Sequence, residues 1–580
     1  MARDSVIRHR EVRRRSVPAE YYDALPDDMD PVLRRVYAAR QVRPGELETA
    51  LSCLLPVRSL GGLDPAVGLL CAARSGGASV LVVGDYDADG ATASALMVDT
   101  LRRFGFPRVD YLVPNRFQFG YGLSPAIAEL AAARGAALLV TVDNGVNSFD
   151  GVKRAQELGM RVLVTDHHLP GCLVPPADAI VNPNLQGDGF ASKALCGVGV
   201  VFYLMAALAR ELDLRGQLPY ESARGILQAG LDLVALGTVA DLVPLDHNNR
   251  ILVAEGLRRL RSGRGRAGIV ALFRVAGRNP TAAHAADFGF AIAPRLNAAG
   301  RLTDMSLGVE CLLAEDPGRA ARLAAELDSL NSQRRELQSR MTEEAERHLR
   351  ALSASLDAGR VAPASCLFDP AWHEGIVGLV ASRIRERTGR PAIAFARSEG
   401  RDVIKGSARS VPGVHVRDAL ALVAARGEVE GLEFGGHAMA AGVRIPMAGL
   451  ERFTAAFSAA ISVQLALAEP DDILWTDGPL DPDQCSVEMA DRLQLASPWG
   501  QAFPEPLFHN RFEIVDRVVL KGSHLRLVLT HEHGGEPIEA IAFNETRELP
   551  GHAGLVYRLG VNDFGGRRRR QLVVEHVQPE

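Results

Sequence analysis

Acids and histidines stand in this chain where short apolar runs end. Val80-Leu81-Val82-Val83 leads into Gly84-Asp85-Tyr86-Asp87-Ala88-Asp89-Gly90. Leu138–Val142 leads into Asp143-Asn144-Gly145, and Val162–Thr165 into Asp166-His167-His168. A further apolar run, 233–240, ends at Asp241. Ligands of open parallel sheets bind outside the carboxyl ends of the strands, so four such ends predict one shared site. Asp87 and Asp89, two apart, share a face of an extended segment, and Gly90 lets the chain turn into a helix over about 91–104. Asp143 is placed to bridge two cations, with His167 and Asp241 completing the shell. Asp85 is either a ligand or a loop hydrogen-bonder. Asp166 either touches metal or orients His167 from behind, and His168 either contacts a scissile phosphate or moves a proton. Carboxylates and imidazole without thiolate suit Mn²⁺ or Mg²⁺ better than structural zinc. Two such ions roughly 3.5–4 Å apart activate water and stabilise a leaving oxygen. The expected chemistry is therefore metal-assisted hydrolysis of an anionic substrate.

The elements that must position these groups are read from periodicity. Residues 1–75 read as a helical extension. From 76 to 310 apolar strands alternate with helical segments, and Ser124-Pro125 reads as an N-cap followed by the first helical residue. Such alternation implies βαβ units and a doubly wound parallel sheet. Residues 311–360 have few breakers and many Arg, Glu, Leu and Ala, which predicts one long connecting helix. A smaller α/β domain is expected over 361–465. From 470 to 580 short alternating runs predict a small antiparallel barrel.

At 580 residues the chain is too long for one core. Its hydrophobic content of 47% and mean hydropathy of +0.03 indicate a soluble globular protein. No apolar run reaches the ~18 residues of a membrane span, so no membrane partner is expected. The seven cysteines form no CxxC pair, which suits a reducing cytoplasm and not a disulfide framework. A net charge of −5 does not advertise nucleic acid, so a nucleic-acid binder of this composition needs local basic grooves.

Asp166-His167-His168, with the acidic loops before it and Thr238-Val239-Ala240-Asp241 after it, resembles the DHH phosphoesterase superfamily. The ordered series DYDADG (85–90), PNRFQFGYGL (114–123), CGVGV (196–200), LDLVALGTVADLVPL (231–245) and IAPRLNAAGRL (292–302) is similar to its single-strand-specific 5′-to-3′ exonuclease branch. WHEGIVGLVASR (372–383), KGSARS (405–410) and FGGHAMAAG (434–442) resemble the associated DHHA1 domain. The resemblance implies a DHH parallel-sheet domain and a DHHA1 α/β domain joined by the long helix, plus a C-terminal OB-fold β-barrel at the entrance for single strands. It implies Mn²⁺ or Mg²⁺ at Asp87, Asp89, Asp143, His167 and Asp241. It also implies a cytoplasmic monomer acting on single-stranded DNA in repair and recombination, with single-strand binding protein and a RecQ-type helicase as partners.

Substrate contacts are expected in the same motifs. Arg295, following Pro294 in a segment poor in charge, is placed to neutralise a phosphoryl oxygen or else to form a structural ion pair. Asn115, Arg116, Tyr121 and Arg301 are further candidates near the metal strands. In the second domain Ser407 and Arg409 lie two apart on a predicted strand and face one way. Gly435-Gly436 permits close backbone approach, with His437 adjacent. These residues are expected to bind the 5′ end or the neighbouring backbone. Lys521, His524, Arg526 and Arg567–Arg570 are candidate backbone contacts in the barrel, and Trp499 and Phe508 are candidate stackers. Two alternatives remain at this level: a phosphodiesterase of short oligonucleotides or cyclic dinucleotides, and a non-catalytic DNA-binding scaffold.

Overall fold

The structure, a computed structural model, describes residues 10–115, 119, 122–171, 173–355, 362–398, 402–465, 473–563 and 567–578. It divides into two compact units. One comprises Val12–Ser329 and Leu474–Glu580; the other comprises Leu330–Ile473 with the residues up to Glu11.

The first unit is built on a five-stranded sheet in the order Arg108–Leu112, Ser79–Gly84, Leu138–Val142, Arg161–Thr165, Ala179–Val181. All of its pairings are parallel. The inner strands are buried on both faces, which is why they appear in the sequence as unbroken apolar runs. Chain order departs in opposite directions from Ser79–Gly84, with the next strand on one side and the following one on the other. The crevice at this reversal is where such sheets take ligands, and the Asp85–Asp89 loop and Asp143 both lie there. Ser124 caps the helix Pro125–Ala133 as expected, its hydroxyl accepting the Ile127 N–H.

The fourth predicted strand is not a strand. Residues Leu231–Ala240 form a helix and Asp241 is its C-cap. The helix is buried through Thr238, so it is apolar on all sides and carries no 3.6-residue stripe to distinguish it from a buried strand.

The C-terminal part of this unit is a closed barrel of Phe508–Leu520, His524–His531, Ile538–Ala542, Arg569–Gln578 and His552–Asn562, in that order. Phe508 lies in its interior, and the Trp499 ring stacks on Phe503 at 5.1 Å, so both expected stackers belong to packing. An N-terminal helix packs against the barrel. Val32 and Val36, on one face of the helix Pro31–Ala39, join the barrel core. The strand Glu11–Arg14 pairs with Ile473–Thr476, and Arg40 forms a buried ion pair with Asp477 at 2.7 Å.

The second unit holds a five-stranded sheet in the order Glu433–Gly436, Ala440–Pro446, Val403–Arg409, Ala392–Arg397, Ser365–Phe368. The helix Pro317–Ser355 is continuous for 39 residues and passes from one unit into the other. No helix among the described residues is long and apolar enough to cross a membrane.

Candidate metal centre

Each acid of the centre is held by backbone that the local sequence makes possible. Asp87 caps the helix Ala88–Arg103 by accepting the Gly90 N–H at 3.0 Å. A Cβ on Gly90 would lie 2.5 Å from the Asp85 carbonyl oxygen, so the turn requires glycine. Asp89, in the first turn, is 1% exposed. Its carboxylate accepts the Gly197 and Val198 N–H groups at 2.6 and 3.0 Å, at the start of the helix Gly197–Leu214. Asp143 adopts φ 61°, a left-handed conformation that Asp and Asn tolerate better than most residues. Gly197 lets the Gly197–Leu214 helix approach it, since a Cβ there would stand 2.5 Å from the Asp143 Cβ.

These groups converge. The His167 Nε2 lies 3.1 Å from Asp143 Oδ1 and 3.5 Å from Asp241 Oδ2. Ligand atoms of Asp85, Asp87 and Asp143 all fall within 4.8 Å of one another, as do those of Asp89, His167 and Asp241. A third such group, Asp143, His167 and His168, shares members with both of the others. Asp143 Oδ1 and His167 Nε2 are both buried without a hydrogen bond. Buried polar atoms are rarely left so, and a cation between carboxylates and a neutral imidazole satisfies both. The donor set contains no thiolate and fits a hard divalent ion.

The electrostatics carry the same message. Burial, then the negative charge of Asp87, pushes the Asp89 carboxyl up to about 7. Burial and neighbouring acids raise Asp143 and Asp241 well above the usual carboxylate range. Burial, with the adjacent His168, brings His167 down to about 4, so it is a neutral ligand-type imidazole. Its neighbour behaves oppositely. Burial opposes charge on His168, but the Asp166 carboxylate outweighs it and lifts the ring to about 9.

Asp166 is not among the converging acids. One oxygen accepts the Val146 N–H at 2.9 Å. The other accepts the backbone N–H groups of His167 and His168 and faces His168 Nδ1 at 2.8 Å. The ring it orients is therefore His168 and not His167, whose ring has the Leu195 backbone as its hydrogen-bond partner.

Arg295, on the helix Ala293–Leu302, places its guanidinium 2.8 Å from Asp328 and donates to the Ala291 carbonyl at 2.6 Å. That is the ion-pair arrangement of the two expected for it. Asn115 donates to the Thr303 carbonyl at 3.4 Å, and Arg301 lies in the last turn of the Ala293–Leu302 helix. Arg116 and Tyr121 lie outside the described residues. In the barrel, Arg568 pairs with Asp491 and Asp563, and Arg570 with Glu536.

Ser407 and Arg409 do share a strand, in the second unit. Arg409 Nη1 donates to Ser407 Oγ at 2.7 Å and to the Ala408 carbonyl at 2.8 Å. No carboxylate pairs with Arg409 among the described residues, and burial lowers its pKa. Gly378, in the first turn of the helix Val377–Thr388, faces the pair; a Cβ there would stand 2.8 Å from Arg409 Nη2 and 3.0 Å from Ser407 Oγ. Register places Ser407 opposite Gly442, and Gly442 opposite Gly435, so the sheet next to Ser407 is bare of side chains. Gly436 takes φ 145°, and the His437 N–H donates to the Ala440 carbonyl at 2.8 Å.

Two asparagines were not expected to matter. Asn144 Nδ2 donates to the Val83 and Val142 carbonyls at 3.1 and 2.9 Å, tying together the ends of adjacent strands. Asn297 Oδ1 accepts the Ala88 N–H at 2.8 Å and steadies the acidic loop. Both lie in motifs that the sequence singles out, but Val83 and Ala88, the partners that give them their roles, are distant in the chain.

The chain matches the DHH family, N-terminal domain, over residues 79–238, the DHHA1 domain over 359–463 and the RecJ OB domain over 476–576. It is 46% identical to the single-stranded-DNA-specific exonuclease RecJ of Dickeya dadantii, covering 96% of this chain and 97% of that one. It is likewise 46% identical to RecJ of Escherichia coli, covering 98% and 99%. Among solved structures, Thermus thermophilus RecJ in complex with Mn²⁺ superposes with a TM-score of 0.80 at 30% identity, covering 99% of this chain and 80% of that one.

Proposed function

This chain belongs to the RecJ family of single-stranded-DNA-specific exonucleases, and from that membership we infer that its acid–histidine centre binds Mn²⁺ or Mg²⁺ and hydrolyses phosphodiester bonds of single-stranded DNA. The observation that carries the reading is the pair of buried, unsatisfied atoms, Asp143 Oδ1 and His167 Nε2, among carboxylates that burial drives toward protonation. Asp85, Asp87 and Asp143 would hold one ion, and Asp89, His167 and Asp241 a second. When bound, two such ions activate water and offset charge on the leaving oxygen. The His168 ring, kept cationic and oriented by Asp166, contacts the scissile phosphate. Arg295 supplies further positive charge to the phosphoryl oxygens once a phosphate displaces Asp328, and Asn115 and Arg301 bind the strand nearby. A 3′-labelled oligonucleotide incubated with Mn²⁺ or with EDTA tests the reading. Stepwise shortening only with Mn²⁺, and only of single strands, is the expected result; an intact strand in both overturns it.

Metal occupancy is coupled to protons. The folded-state pKa of Asp89, about 7, lies above the ordinary 3.8. Its favourable contribution is therefore present at low pH and lost as pH rises through about 7. In EDTA the melting temperature is expected to fall between pH 6 and pH 8. Mn²⁺ should stabilise the protein more at pH 8 than at pH 6 and release protons on binding near pH 7. Thermal melts and calorimetry in buffers of different ionisation enthalpy check both.

We propose that the strand is degraded from its 5′ end and that Ser407, Arg409 and the Gly435-Gly436-His437 turn hold a 5′-phosphate. The support is a half-buried guanidinium with no carboxylate partner among the described residues, beside a helix N-terminus that favours anions. Arg409→Ala is expected to abolish the preference for 5′-phosphorylated over 5′-hydroxyl oligomers. A hydrogen bond to a charged group contributes about 1.5–3 kcal/mol, or roughly 10- to 150-fold in kcat/KM. Equal loss on both substrates would place Arg409 outside the end pocket. A cytoplasmic monomer working in repair and recombination with single-strand binding protein and a RecQ-type helicase completes the proposal. Sedimentation of the protein alone and with each partner tests its assembly.

A further inference from the structure

The helix Leu231–Ala240 packs beside a π-helical turn, Phe288–Ile292. Such turns are rare and occur often at functional sites. Here the turn buries Phe288 completely, against Phe273, and leaves Phe290 86% exposed. Phe290 stands between two cavities. The larger, about 680 Å³, is also lined by Thr238, Val239 and Ala240, the residues leading to Asp241, and by Asn297, which holds the acidic loop. This groove therefore adjoins the metal centre. Leu242 and Leu495, 69% and 58% exposed, line it as well, so three large apolar side chains face one groove without covering each other. Its walls carry Arg258, ion-paired with Glu255, Arg558, ion-paired with Glu505 and Glu575, and Arg261, which donates to the Ala283 carbonyl and has no carboxylate pair among the described residues. The second cavity, about 400 Å³, continues past Phe290 to the ion pairs Arg278–Asp287 and Arg558–Glu505.

We propose that Phe290 is a stacking platform for a base of the single strand whose end lies at the metal centre, an inference that rests on the single-strand exonuclease reading. An exposed aromatic face with a basic side chain in the same groove, here Arg261, is how sequence-indifferent single-strand sites are built, since every base offers a π-face and every nucleotide a phosphate.

The full-length protein in EDTA is titrated against oligonucleotides carrying 2-aminopurine at successive positions from the 5′ end. Wild type is expected to change the fluorescence of one position selectively. Phe290→Ala should remove that change and raise Kd about 5- to 150-fold, with an unaltered melting temperature. Phe290→Trp should restore both. An abasic site at that position should weaken wild type and add no further loss to Phe290→Ala. Unchanged Kd and fluorescence in Phe290→Ala, with tight binding by wild type, overturns the platform and leaves the exonuclease reading standing. A variant that differs from wild type only in self-association also overturns it, assigning the ring to contact between copies. If wild type binds no single strand, the exonuclease reading fails and the platform with it.

Discussion

Asp143→Asn is expected to leave a folded protein that no longer shortens single-stranded DNA. Asparagine is the appropriate replacement because the residue sits at φ 61°, which Asn adopts with little strain, and because it keeps the side chain's shape beside Gly197. What it removes is the charge shared between the two acid groups. Metal ions supply several kcal/mol of transition-state stabilisation, so kcat should fall by about three orders of magnitude or more. Stability should move the other way. In EDTA burial, and then Asp89, Asp87, Asp241 and Asp85, opposes a charge on Asp143, and asparagine never has to carry one. A higher melting temperature in EDTA, with no activity in Mn²⁺, is the expected combination. A variant that retains a tenth of wild-type activity would remove Asp143 from the centre of the mechanism.

The second large effect is expected at His168. Its cation is present below a pKa of about 9 and is lost as pH rises through that value. Asp241 and Asp85 contribute to the elevation, and bound divalent ions would cancel their share, so the alkaline limb of kcat in Mn²⁺ should fall below pH 9. His168→Ala should lower kcat by about 10²- to 10⁴-fold and abolish the limb. Asp166→Asn should keep the limb and shift it to lower pH, because the largest favourable partner of the cation is gone. An unshifted limb in Asp166→Asn would mean that another group titrates. Comparing kcat with KM across these variants separates contact with the scissile phosphate from binding of the strand.

The parts of this centre that were legible in the sequence are those whose signal is local. A parallel strand buried on both faces is a continuous apolar run, and its end is visible where Gly84, Asp143 or Asp166 interrupts it. The long helix Pro317–Ser355 was legible because breakers are scarce for its whole length. The segment before Asp241 was not, because a helix buried all round and a buried strand have the same apolar pattern. Arg295 showed no sign of its partner, since Asp328 lies on a different helix. The same is true of Asp89, whose carboxylate is held by amides more than a hundred residues away. The strand Glu11–Arg14 has no alternation at all and exists because Ile473–Thr476 offers it an edge.

The N-terminal segment meets its partners late in synthesis. Arg35 bonds the Pro479 carbonyl across 444 residues of sequence. At ~5–20 residues per second of synthesis, roughly 20–90 s separate the emergence of the two. For that time Val32 and Val36 have no barrel to enter. A segment made well before its partners is thus among the last to find its place, and until then it is an exposed apolar face on a nascent protein whose parallel sheet can already form.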